Sequence, residues 1–132
     1  MGTKVRSVAV KKLPEHISGD HRQEVYKDLE SSINVDRPAV VLDCSSLRDL
    51  DNSAIHLLLC CLEEAMKRNG DVRLAAVRPE VQAALEAAEI DSLFQSFQEV
   101  REAVASFHRP QIEFLQLENA DETNQKSRMN AA

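Results

Sequence analysis

Apolar positions along the chain fall into alternating short runs and helical stripes. Val5, Val8, Val10 and Leu13 punctuate Lys4 to Leu13 with charges at both ends, which predicts an edge strand of imperfect period. After Pro14, Ser18-Gly19-Asp20 supplies helix-start residues, and Gln23 follows Asp20 by three as in a capping box. Val25, Leu29 and Ile33 then recur every four residues opposite Glu24, Lys27, Asp28 and Glu30, predicting an amphipathic helix that ends before Asp36-Arg37-Pro38.

Ala39-Val40-Val41-Leu42 is a β-branched apolar run between Pro38 and Asp43, the pattern of a strand covered on both faces at the sheet centre. From Asp51 onward Ile55, Leu58, Leu59, Leu62 and Met66 predict a second helix, stopped by Asn69-Gly70. Val72 to Val77 reads as a third strand. Pro79 then opens a helix with Val81, Ala84, Leu85 and Ala88 on its inner stripe. A further short strand is expected near Phe94. Ser96 with Glu99 caps a last helix bearing Phe97, Val100, Val104 and Phe107.

Strand and helix in alternation imply mainly parallel pairing with right-handed crossovers, an α/β sandwich of about four to five strands and four helices. The compact domain should occupy residues 1–108. Residues 109–132 form a polar extension in which only Ile112 to Leu117 is apolar enough to pack, and Glu118 to Ala132 is expected to be disordered.

Composition narrows the functions available. At 132 residues, 43% hydrophobic and 29% charged, the chain suits one globular domain. Sixteen basic against twenty-two acidic residues give a net charge of −6, which disfavours nucleic acid as a partner. Gly2, Gly19 and Gly70 are the only glycines, too few and too scattered for a phosphate-cradling loop. With no Trp, one Tyr and four Phe there is little to build a base-stacking surface. The apolar run Ile55 to Leu62 is too short to insert into a membrane, no signal-peptide core opens the chain, and three cysteines without C-x-x-C spacing suit reduced thiols. A cytoplasmic protein is expected.

Candidate chemistry is sparse. Cys60 and Cys61 are adjacent on a helix and so point about 100° apart, which prevents them from clasping one metal. His56 and Cys60 share a face but supply only two ligands, and Cys44 reads as a small core residue. No metal and no cofactor are expected. A hydrolase using Asp51, Ser53 and His56 would crowd its triad into one helical turn without oxyanion-hole glycines. The turn Ser45-Ser46-Leu47-Arg48-Asp49-Leu50-Asp51-Asn52-Ser53-Ala54 remains. It carries more polar groups from the central strand into the helix than a cap worth about 1 kcal/mol requires.

Val40-Val41-Leu42-Asp43-Cys44-Ser45, then Leu50-Asp51-Asn52-Ser53-Ala54-Ile55, then a leucine-rich helix ending Lys67-Arg68-Asn69-Gly70-Asp71 and the strand Val72 to Val77, resemble the STAS domains of sulfate transporters and anti-sigma-factor antagonists. The resemblance spans roughly Val5 to Phe107. Members commonly read Asp-Ser-Ser-Gly or Asp-Ser-Ala-Gly, with the second Ser or Thr after the Asp as phosphoacceptor, a position filled here by Ser53. Asn52 stands where the family usually has Ser, and Ala54 where it usually has Gly. Alanine favours a helical first turn over glycine by about 1 kcal/mol.

The resemblance implies a non-enzymatic anti-sigma factor antagonist-like protein, a monomer or weak dimer. Its partner would be a GHKL-type serine kinase that is also an anti-sigma factor, bound through Ser45, Ser46, Asp51, Asn52, Ser53 and Ala54 and switched by phosphorylation of Ser53. A phosphate there is stabilised by backbone N–H groups and the helix dipole, whereas an interface is disrupted by it. The alternatives are a STAS-type binding subunit of a transporter or signalling assembly that is never phosphorylated, and a small hydrolase using Ser53 or Cys44.

Overall fold

The computed structural model describes residues 7–17 and 19–108. The proposed capping box at Asp20, the start of the first strand before Ser7, and the extension after His108 lie outside the described side chains. Four strands, β1 (Ala9–Lys12), β2 (Ala39–Asp43), β3 (Asp71–Ala75) and β4 (Ser96–Phe97), form one sheet in the order β1-β2-β3-β4. All three pairings are parallel, with Val10 opposite Val41, Val41 opposite Arg73, and Ala75 opposite Phe97. The helices are α1 (Gly19–Ile33), α2 (Asn52–Lys67), α3 (Pro79–Ala87) and α4 (Val100–Ser106).

Each parallel step needs a crossover helix, and right-handed crossovers that advance in one direction place those helices on one face. Side-chain alternation along the strands shows the result. Val40, Leu42, Val72 and Leu74 face the main core, built with Leu29 and Ile33 of α1, Leu57, Leu58 and Leu62 of α2, and Val81 and Leu85 of α3. Ala39, Val41 and Ala75 face the other side, where, among the described residues, α4 covers them with Ala103, helped by Phe107 just after the helix. β2 is buried on both faces and β1 lies at an edge, as the sequence predicts.

Two local expectations change. The buried positions of α2 are Ala54, Leu57, Leu58, Cys61, Leu62 and Ala65. Ile55 and Leu59 are therefore only half-buried, and Met66 is 60% exposed. Small Ala54, Cys61 and Ala65 let the helix approach the sheet and rotate the buried stripe away from the largest side chains. Ser96 belongs to β4 rather than to a cap. Glu99 itself caps α4, and its side chain and that of Glu102 satisfy each other's backbone N–H groups.

The stop at Asn69-Gly70 takes the expected form. Gly70 N–H donates to Ala65 O at 2.8 Å and Asn69 N–H to Met66 O at 3.0 Å, with Asn69 in the left-handed region at φ 64°. Gly70 is also required by contact, because a Cβ there would collide with the Pro38 carbonyl oxygen.

Candidate functional site

The C-terminal ends of parallel strands are where α/β proteins place their functional groups. Here β2 runs out at Asp43, and a loop leads to α2. Cys44 N–H donates to Ala75 O at 2.9 Å, tying the loop's first residue to β3, and Leu47 is fully buried as its anchor. Arg48 N–H donates to Glu15 O at 2.9 Å, and His16 Nδ1 lies 3.0 Å from Asp49 Oδ2, so the loop also leans on the β1–α1 connection. The Asp43 carboxylate accepts from Ser45 N–H at 3.0 Å. A segment with no strand or helix of its own is thereby fixed at several points.

Asp51 is the N-cap of α2. Its backbone is extended, its Oδ1 accepts from Ala54 N–H at 2.8 Å, and its carbonyl accepts from Ile55 N–H at 3.0 Å. One carboxylate therefore does the capping that Asp51, Asn52 or Ser53 could each have done. Ser53 lies half-buried in the first turn, and its hydroxyl has no hydrogen-bond partner among the described residues. Asn52 beside it is exposed, whereas Ala54 is fully buried and meets the main core.

Ser45 is exposed. Ser46 is half-buried and lines an open groove of about 550 Å³ together with Lys12, Pro14, His21 and Glu24. Ser45 and Ser46 thus lie just beyond the C-terminal end of β2, and Asp51, Asn52 and Ser53 at the start of α2.

The other candidate groups do not assemble a reaction centre. His56 is exposed, and its Nε2 lies 3.5 Å from Cys60 Sγ, confirming that the two share a face. Asp51 is engaged with Ala54 N–H, so Asp51, His56 and Ser53 form no relay. Cys44 and Cys61 are buried, and desolvation pushes both thiols up to about 12, which keeps them protonated at neutral pH. Among the described residues, no group of three or more His, Cys, Asp or Glu could hold a metal, and no helix is long and apolar enough to cross a membrane.

Sequence reasoning missed Arg73. It is anchored to Asp71, Ser106 and the face of Phe107 and fastens α4 to the sheet. A lone charge at an alternating strand position was the available signal.

Among the described residues, a four-stranded parallel sheet with three helices on one face and one on the other, and a polar turn at a helix start, defines a small α/β domain. The chain matches the STAS domain family over residues 3–103 and belongs to it. No curated protein matches it in sequence. Among solved structures it is similar to an anti-sigma-factor antagonist (STAS) domain protein from Planctomyces limnophilus, with a TM-score of 0.69 at 17% identity over 76% of this chain and 90% of that one. It is also similar to the SulP transporter STAS domain from Vibrio cholerae, with a TM-score of 0.66 at 16% identity over 87% of this chain and 89% of that one. A sulfate transporter family protein from Wolinella succinogenes gives a TM-score of 0.60 at 20% identity over 80% of this chain and 89% of that one. At these identities the structural likeness is one of fold.

Proposed function

We propose that this chain is a non-catalytic regulatory domain of the anti-sigma factor antagonist kind, binding a partner protein through the start of α2 and released by phosphorylation of Ser53. The partner would be a serine kinase of the GHKL type that is also an anti-sigma factor, and the setting cytoplasmic. The observation that carries this reading is the division of labour at the helix start. Asp51 caps the helix, which leaves the Ser53 hydroxyl unengaged in the first turn.

Adding a phosphoryl group there costs the fold little. The first N–H groups of a helix lack intrahelical acceptors and the dipole favours negative charge, which offsets repulsion from the neighbouring Asp51 carboxylate. At an interface the same dianion must be desolvated, and unless the partner supplies a cation, binding weakens. Asn52, Ser45 and Ser46 would contribute polar contacts, while buried Ala54 acts by holding the first turn rather than by touching the partner.

A second reading, a STAS-type binding subunit of a transporter or signalling assembly without phosphorylation, draws on the half-burial of Ser53, which narrows a kinase's access. Incubation with candidate kinases and ATP, followed by mass spectrometric mapping, separates the two. Phosphate on Ser53 supports the switch, and an unmodified Ser53 with every kinase that binds the chain supports the constitutive subunit.

A further inference from the structure

His56 and Cys60 lie four residues apart in the interior of α2 and so share one face, one turn above the other. His56 is exposed and Cys60 half-buried, whereas Leu57, Leu58 and Cys61 beside them are buried and seat the helix on the sheet. The two side chains therefore stand on a rigid base. Their donor atoms, His56 Nε2 and Cys60 Sγ, are 3.5 Å apart. A tetrahedral zinc ion with bonds of about 2.05 Å to nitrogen and about 2.3 Å to sulfur holds those two atoms about 3.5–3.6 Å apart. The spacing in sequence supplies two ligands on a face; the structure adds that they already stand at the bite such an ion requires.

We infer that His56 and Cys60 form a two-ligand site on α2 for a divalent ion of the zinc class, with solvent filling the remaining positions. Imidazole and thiolate together select such an ion over magnesium or calcium, which take oxygen ligands. On binding, the Cys60 S–H bond breaks, the sulfur gives that electron pair to the metal and the proton leaves to solvent, while His56 binds through the Nε2 lone pair. Nothing is oxidised or reduced. Glu63 and Glu64 border the same pocket as Cys60, against Arg22 among the described lining residues, so the local field favours a cation. Cys61 takes no part, because it points about 100° away and packs in the main core. With two protein ligands instead of the four of a closed structural site, the ion is exchangeable and the fold does not depend on it. The site stands independently of phosphorylation at Ser53.

Titration of the reduced full chain with cobalt(II), a spectroscopic substitute for zinc, tests this directly, since a thiolate bound to cobalt gives a near-ultraviolet charge-transfer band. The band should saturate at one cobalt per chain and disappear when zinc is added. Cys60→Ser should abolish it, and His56→Gln should weaken binding at least about tenfold, the least that loss of even an outer-shell partner costs. Circular dichroism establishes that both variants are folded. Zinc should also slow alkylation of Cys60 by iodoacetamide in the unsubstituted chain and not in His56→Gln. The inference is overturned if no charge-transfer band forms, if the band survives Cys60→Ser, or if His56→Gln binds cobalt as tightly as the unsubstituted chain. Saturation at half a cobalt per chain equally overturns it, assigning the ion to two copies of the chain.

Discussion

Replacing Arg73 should loosen α4 from the sheet. The side chain is 16% exposed, and its Nε donates to Asp71 Oδ2 at 3.0 Å. Nη1 donates to Ser106 Oγ at 2.6 Å while the Ser106 hydroxyl donates onward to Ala103 O, and the guanidinium carbon sits 3.9 Å from the Phe107 ring centroid. A hydrogen bond from a charged donor contributes about 1.5–3 kcal/mol, and a partly desolvated guanidinium over a ring about 0.5–2 kcal/mol. The Asp71 pair adds less, because that carboxylate is 30% exposed and already accepts from Val72 N–H. These terms overlap, so Arg73→Ala should cost about 3 kcal/mol in urea melts, and Arg73→Lys about half of that, since an ammonium lacks the planar fork. A double-mutant cycle with Phe107→Leu should return a coupling of about 1 kcal/mol. A coupling below about 0.3 kcal/mol, or an Arg73→Ala melt matching wild type, would refute the assignment of Arg73 as the fastening of α4.

Leu58→Ala should cost about 3–5 kcal/mol, Leu59→Ala roughly 1–2 and Met66→Ala under about 0.5, and equal costs in denaturant melts would show that the buried stripe of α2 is misplaced. Half-buried Cys60 should be the first thiol alkylated in the native protein, with Cys44 and Cys61 protected until unfolding, as mass mapping after brief iodoacetamide treatment would show. Because those two thiols are raised to about 12 in the fold, against about 8.5 unfolded, the native state holds its protons longer. Their contribution is intact below pH ~8.5 and lost as pH climbs toward 12, by about 1.4 kcal/mol per pH unit per thiol, and Cys44→Ala should flatten that slope. Deleting Glu118 to Ala132 should leave the thermal midpoint nearly unchanged, since Met129 is the only large apolar residue there, and a clear drop would show that this stretch packs on the domain.

Much of the architecture is legible in the chain because its signals are local and redundant. Pro38 and Asp43 mark the two ends of the apolar run in β2, Asn69-Gly70 terminates α2 where a left-handed residue and a close approach are both needed, and Pro79 opens α3. What misleads is local information whose meaning depends on packing. α2 carries leucines at 57, 58, 59 and 62, spread over about 200° of its circumference, so the sheet decides which part of that arc is inside, and it selects the side with Ala54, Cys61 and Ala65. Ser96 and Glu99 have capping-box spacing, yet two residues of ladder beside β3 take Ser96 into β4 and pass the cap to Glu99. At the candidate site, the polar turn is conspicuous in sequence, but the identity of the cap is not. Only the geometry assigns that task to Asp51 and sets Ser53 apart.

Under the proposed function, charge at Ser53 controls partner binding without disturbing the fold. The most direct measurement is a set of binding isotherms against the cognate kinase for the unmodified chain, the Ser53-phosphorylated chain and Ser53→Ala, with circular dichroism showing that all three are folded. The unmodified chain and Ser53→Ala should bind alike, since the substitution removes neither the cap nor a core contact. Phosphorylation should weaken binding at least about tenfold, as expected for a desolvated and unpaired charge. Equal affinities for all three folded proteins would contradict the account and leave a constitutive binding domain in its place.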